Sequence, residues 1–242
     1  MGVIIFNGIP STECGIHVEK PPVYAVPERD YSVVHIPGRN GDIVVDNGSY
    51  KNTSRSYDIS FGEPEGNFTE GASGVSEWLH SASGYARLED SYEPDYFRLA
   101  YYAQENEIEN IFHKAGKATL EFVCKPGRFL KTGERPVSFT SAGVLKNPTF
   151  QIALPKIRLQ VSGNGTLTIG EKTITISGIT SPTVMIIDSE LQDIFEENSL
   201  TNLNGKVSLS DGQFPSLLPG LNTIRFTGSI TSVEVTPRWW IL

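Results

Sequence analysis

Four histidines, two cysteines and one acidic run hold the groups of this chain that could bind a metal or move a proton. His17, His35, His80 and His113 are scattered. None stands at a short metal-binding spacing from a cysteine, a carboxylate or another histidine, so each reads as a surface or strand residue. Cys14 and Cys124 are far apart, too few for a disulfide framework, and read as reduced thiols. The acidic run contains Glu89, Asp90, Glu93, Asp95, Glu105, Glu107 and Glu109 against only Arg87 and Arg98. Paired carboxylates do acid–base work when one is desolvated, but polar and aromatic neighbours here favour a solvated face. Residues 163–170, GNGTLTIG, look like a dinucleotide loop until the following residues alternate as a strand where a helix would have to start, so they read as a hairpin turn. GASG at 71–74 lacks the spacing of a nucleophile elbow and reads as a helix start. No catalytic set, metal site or cofactor site is expected. Trp239 and Trp240 are adjacent, so on a strand they point to opposite faces, one to the core and one outward to a sugar or a subunit contact.

The elements that would position these residues are mostly strands. Thr, Ser, Val and Ile are plentiful, with 23 Gly and 15 Pro, and 242 residues suffice for one large β domain or two smaller ones. The formal net charge of -8 argues against a general nucleic-acid surface. That charge is uneven, because residues 1–140 hold 13 Lys and Arg against 20 Asp and Glu, whereas residues 141–242 hold 7 against 8. The opening MGVIIFNGIPSTECG has an apolar run of only four residues, so no signal peptide or membrane anchor is expected and folding in a cytoplasm is.

Residues 3–6 read as an opening strand and 31–61 as a β meander with turns at 37–41 and at Asn47-Gly48, since Asn-Gly supplies positive φ angles. One helix is expected over 73–84, with Val75, Trp78, Leu79 and Ala82 on one face, Ser73 as its cap and Gly84 as its end. Strands follow at 96–102, 107–113 and 118–124, the last two joined by Ala115-Gly116-Lys117. From residue 156 short alternating runs recur about every ten positions, the pattern of an antiparallel sandwich, and a domain boundary is expected between 129 and 148.

Four segments in order say more together than singly: PGRNGDIVVDNGSYKN (37–52), FHKAGKATLEFVCKPGRFL (112–130), NPTFQIALPKIRLQVSGNG (147–165) and PRWWIL (237–242), with the helix between the first two. In these the chain resembles, nearly end to end, the distal tail proteins of siphophages that infect Gram-positive bacteria. The resemblance implies a mainly β chain in which residues 1–138 form a β-rich domain with one short helix that assembles into a hexameric ring. Residues 139–242 would be a galectin-like antiparallel β-sandwich outside that ring. Such rings join the tail tube to the tail-associated hub protein, in some phages hold receptor-binding proteins, and leave a central channel for DNA. The implied place is the virion tail tip, assembled in the host cytoplasm, with no enzymatic activity, cofactor, membrane contact or sequence-specific nucleic-acid binding.

On that reading Pro37, Gly38, Arg39, Asn40, Gly41, Asp42, Asn47, Gly48 and Tyr50 shape the ring interface, while Glu105, Glu107 and Glu109 face the channel. Trp239 and Trp240 remain a C-terminal contact. The other function weighed is a carbohydrate-binding module that recognises host cell-wall polysaccharide through the sandwich and one of these tryptophans.

Overall fold

A computed structural model describes residues 2–62, 68–104, 109–111 and 115–242, with only the backbone of 109–111 and 115. The chain is mainly β and divides into two compact units, Met1–Arg128 with Leu242, and Phe129–Ile241. Among the described residues no helix is long and apolar enough to cross a membrane.

The first unit is built on β1 (Ile4–Phe6), β2 (Ile16–Val18), β3 (Arg29–Val34), β4 (Ile43–Tyr50), β5 (Thr53–Gly62), α1 (Phe68–Leu79), β6 (Ala86–Asp90), β7 (Tyr96–Tyr101) and β8 (Ala115–Cys124). Its main sheet runs in the order β1, β6, β7, β8, β5, β2, with Ile9–Pro10 beyond β1. The longest ladder joins β5 to β8, from Thr53 opposite Cys124 to Gly62 opposite Ala115. Side chains alternate across a strand, so Tyr57, Ile59 and Phe61 turn inward together with Leu120, Phe122 and Cys124. Phe122 then lies edge-on or tilted against Phe6, Tyr57, Trp78 and Tyr102, with ring centroids 5.0–6.2 Å apart.

Two sequence expectations fail here. Ala115, Gly116 and Lys117 are not a turn: they lie inside β8, paired with Ile111, Asn110 and Glu109. The helix has the expected buried face, Val75, Trp78 and Leu79, but it starts at Phe68 and ends at Leu79. Ser73 caps nothing and instead donates to the Thr69 carbonyl at 2.9 Å from within the helix. Tertiary packing overrides propensity here, because a Cβ at Gly71 would stand 2.8 Å from the Phe61 ring, and Phe68 stacks on that ring at 6.0 Å. The glycine that weakens the helix is what allows it to lie against the sheet.

The second unit contains β9 (Val137–Phe139), β10 (Gly143–Asn147), β11 (Lys156–Ile169), β12 (Lys172–Ile176), β13 (Thr183–Asp188), β14 (Asp193–Glu196), β15 (Val207–Leu209) and β16 (Gly220–Thr236). All pairings are antiparallel, and two long strands organise them. The first half of β11 pairs with β13 and with the end of β16, and its second half pairs with β12 and with the start of β16. The sheet therefore curls, and its halves share one core in which Ile157, Leu159 and Val161 meet Leu167, Ile169 and Ile174.

The corner of that curl is the stretch expected to be a hairpin turn. Residues 163–169 continue β11, and the reversal comes later, at Gly170-Glu171. The β11–β16 register slips between Gln160 and Gly165, where glycines let the two backbones close up. A Cβ at Gly165 would fall 2.8 Å from Ile230, and one at Gly228 (φ +73°) would fall 2.5 Å from the Asn164 carbonyl oxygen.

Residues 237–241 close the second unit. Arg238 forks onto Asp188 with two bonds of 2.7 Å, and its N–H donates to the Gly133 carbonyl at 2.8 Å. A Cβ at Gly133 would strike the Trp239 nitrogen at 2.3 Å. These contacts hold residues 129–134 to the second unit.

Gly228→Ala is expected to destabilise the second unit by more than the ~1–3 kcal/mol of a strained backbone alone, since the new methyl also meets a carbonyl. Gly205→Ala, where a Cβ meets nothing within 4 Å, is expected to change stability by well under ~1 kcal/mol. Urea unfolding followed by tryptophan fluorescence compares the two.

Candidate assembly surface

β3 and β4 form a two-stranded ribbon separate from the main sheet of the first unit. Val33 stands opposite Val44, Ser32 opposite Val45, and Val34 opposite Ile43. Alternation therefore puts Tyr31, Val33 and Val44 on one face and Val34, Ile43 and Val45 on the other. All but the half-buried Ile43 are exposed. A lone hairpin is at best marginally stable in water, and one with apolar groups on both faces gains by being covered on both.

The ribbon is braced by polar contacts along its length. Arg29 forks onto Asp46, Nε to Oδ1 at 3.0 Å and Nη2 to Oδ2 at 2.6 Å, and its guanidinium lies 4.7 Å from the Tyr50 ring centroid. Those bonds from Arg29, with the Gly48 N–H at 2.8 Å, hold the Asp46 carboxyl below the usual carboxylate range. His35 meets Asp42 at 2.9 Å, and Lys51 meets Glu28 at the same distance.

Asn47-Gly48 does not reverse the chain as its sequence led us to expect. Arg29 pairs with Tyr50 and Tyr31 with Asp46, so two steps on one strand face four on the other. The extra residues form a bulge inside β4, and Gly48 at φ +76° supplies the left-handed backbone it needs. The meander is thus a ribbon plus one arm of the main sheet.

The first unit also holds a buried ion cluster. Arg55 Nη2 meets Asp90 Oδ2 at 2.9 Å and Glu93 Oε2 at 3.0 Å, Arg98 meets Glu93 at 2.7 Å, and Arg128 also pairs with Glu93. Tyr57 donates to Asp90 Oδ2 at 2.7 Å, while the Tyr92 and Glu93 N–H groups donate to Oδ1 at 3.0 Å. Arg128 in turn lies between Tyr24 and Tyr96, 4.7 and 4.9 Å from their ring centroids. Tyr24 donates to the Leu242 carbonyl at 3.2 Å. Asp90 and Glu93 therefore belong to a structural cluster, not to the solvated face expected of the acidic run. Of the three arginines that neutralise them, Arg98 is a near neighbour in sequence, whereas Arg55 and Arg128 come from distant positions.

Burial raises the Asp90 carboxyl, but the bonds from Tyr57 and Arg55 outweigh it and leave the group below its ordinary value. For Glu93 burial is likewise outweighed, mainly by Arg98. Burial pushes the Cys124 thiol up to about 11, so it stays protonated and inert. Among the described residues no three His, Cys, Asp or Glu side chains gather as metal ligands.

No family model matches the sequence, and no curated protein matches it either. Solved structures do: the chain superposes on the crystal structure of SPP1 Dit (gp 19.1), described as a paradigm of hub adsorption apparatus in Gram-positive infecting phages, with a TM-score of 0.74 and 14% identity over 100% of both chains. The chain has the Dit fold.

Within that fold the residues singled out from the sequence fall in three places. Pro37 to Asp42 form the loop that joins the strands of the ribbon, and Asn47, Gly48 and Tyr50 lie on its bulged arm. Glu105 and Glu107 lie outside the described residues. Glu109 is placed by its backbone alone, opposite Lys117. Trp239 is in the core of the second unit at 5% exposure, and Trp240 is half-buried with its indole N–H donated to the Ile152 carbonyl at 2.9 Å. Neither stands free as an outward platform. Alternation alone could not foresee the contact that claims Trp240. Sequence reasoning missed the aliphatic ribbon faces, although VV at 33–34 and 44–45 was visible, because paired valines read equally well as a buried strand.

Arg55→Ala would leave Asp90 buried beside fewer partners and is expected to cost about 3–5 kcal/mol. Because the native Asp90 and Glu93 values are depressed, their contribution is present above the ordinary carboxylate range and lost as pH falls through the native values. The gap between wild type and variant should therefore narrow below about pH 4, as read by urea unfolding across pH.

Proposed function

We propose that this chain is a siphophage distal tail protein, a non-enzymatic adaptor of the tail tip. The observation that carries the reading is the ribbon with two apolar faces, set in a chain whose whole length follows the Dit fold. An arm of that kind is suited to packing between copies of one subunit, and a heterologous contact repeated by one rotation closes into a ring. On this reading the first unit forms a hexamer, with 37–42 and 47–50 at its subunit contacts. The ring joins the tail tube to the hub protein and can anchor receptor-binding proteins. The second unit is a galectin-like sandwich outside the ring, and the particle is assembled in the host cytoplasm.

The central channel passes DNA. The excess of acidic groups over residues 1–140 supports a wall that repels phosphate, with Glu105, Glu107 and Glu109 placed along it. No observation favours the carbohydrate-binding reading through the tryptophans, since both side chains are engaged within the second unit.

Val33→Asp with Val44→Lys, which keeps the facing pair complementary, is expected to abolish ring formation, seen by light scattering and electron microscopy, without lowering the melting temperature of the subunit, because both side chains are exposed in it. Rings at wild-type abundance would refute the interface. Gly48→Val, strained at φ +76°, should lower ring yield by disturbing the bulge. Reversing Glu105, Glu107 and Glu109 to lysine should leave rings intact but make them retain DNA in gel shifts; free passage as in wild type would remove these residues from the channel.

A further inference from the structure

Between Val144 and Pro155 the ordinary assignment of strand faces is inverted. Asn147, Thr149 and Ala153 are buried, whereas Phe150, Ile152 and Leu154 are exposed, Phe150 by 95%. Ala153 and Leu217 exchange both backbone hydrogen bonds, at 3.0 and 2.9 Å, which sets Ile152 beside the exposed Leu218. Val144 and Lys146 stand opposite Thr223 and the exposed Leu221, and Arg225 follows two residues on along the same face of β16. Val144, Phe150, Ile152, Leu154, Leu218 and Leu221 are all exposed, and the two pairings place them along these neighbouring segments as a strip. Six large apolar residues exposed within 144–154 and 218–221 are more than the singly scattered hydrophobics of an ordinary surface.

The strip is held rigid from below. Asn147 Nδ2 donates to the Gln151 and Leu217 carbonyls at 2.8 and 3.1 Å, and its Oδ1 accepts from the Thr149 N–H and hydroxyl at 2.9 and 2.8 Å. Asn222 holds the opposite side, accepting from the Leu218 N–H at 2.9 Å and donating to its carbonyl at 2.8 Å. An exposed aromatic on a fully hydrogen-bonded support loses little freedom on binding, which is how an interface anchor is made.

We propose that this strip docks a protein other than the chain itself, one offering an apolar groove flanked by carboxylates. Charge selects that occupant. Lys146 and Arg225 lie on the strip's face, and neither forms an ion pair with a described residue. A second copy meeting the strip face to face would bring these cations against their own kind, whereas acidic flanks would neutralise them.

The assembly reading enters only in naming the candidates to be tried. Full-length wild type, Phe150→Ser/Leu221→Ser and Lys146→Glu/Arg225→Glu are titrated by interferometry against the purified tail-tube, hub and receptor-binding proteins of the same phage. One of them is expected to bind wild type and to bind each double variant at least tenfold more weakly, while melting temperature and ring size stay unchanged. Equal binding by all three forms, binding by none, or self-association of the wild type that is lost in Phe150→Ser/Leu221→Ser overturns the proposal. Failure of the wild type to form rings tells against the assembly reading instead, and leaves the titration interpretable.

Discussion

A β-strand has two faces, and burying one leaves the other to be accounted for. In the first unit β5 and β8 satisfy that constraint simply, with Tyr57, Phe61 and Phe122 inside and residues such as Asp58 and Thr119 outside, bonded to each other at 2.6 Å. The second unit meets it by curling one sheet until its inner faces share a core. Two places leave the constraint open. The ribbon has aliphatic groups on both faces, and the strip around Phe150 has its apolar residues on the wrong one.

The polar groups of the interior follow from the same constraint. A charged residue on an inward position must bring its partners with it, and Arg55 on β5 does so by gathering Asp90 from the end of β6 and Glu93 from the turn that follows. Arg98 and Arg128 then complete Glu93, and Tyr24 and Tyr96 cover Arg128. The cluster thereby ties the sheet to the extended segment that leads into the ribbon. In the second unit Asp188 and Arg238 play the corresponding part for the last turn of chain.

Much of this was legible in the sequence, and what was not has physical causes. Period-two alternation identified Tyr57, Ile59 and Phe61 and about half of the second core, where one face of a strand is apolar, but not Met185 to Ile187, which are buried on both faces. Glycine was the recurrent source of error. At Asn47-Gly48, at 163–165 and at Gly116 it was read as a turn, yet it lies within a strand at each, as a bulge, at a corner, or simply in the ladder. A positive φ or a close backbone approach is needed in bulges as well as in turns, and local sequence does not separate them. Burial of Asp90 and Glu93 was illegible for another reason: besides the nearby Arg98, their partners Arg55 and Arg128 are 35 residues away in opposite directions.

The bulge in β4 has a further effect on the chain's own edges. Both strands of the ribbon are edges, and flat edges rich in valine are templates for uncontrolled strand addition. Unpaired residues at 47–49 and the charged fork of Arg29 on Asp46 bend and interrupt one of those edges near its base. Two exposed, valine-rich edges are in this way kept from growing into a fibre.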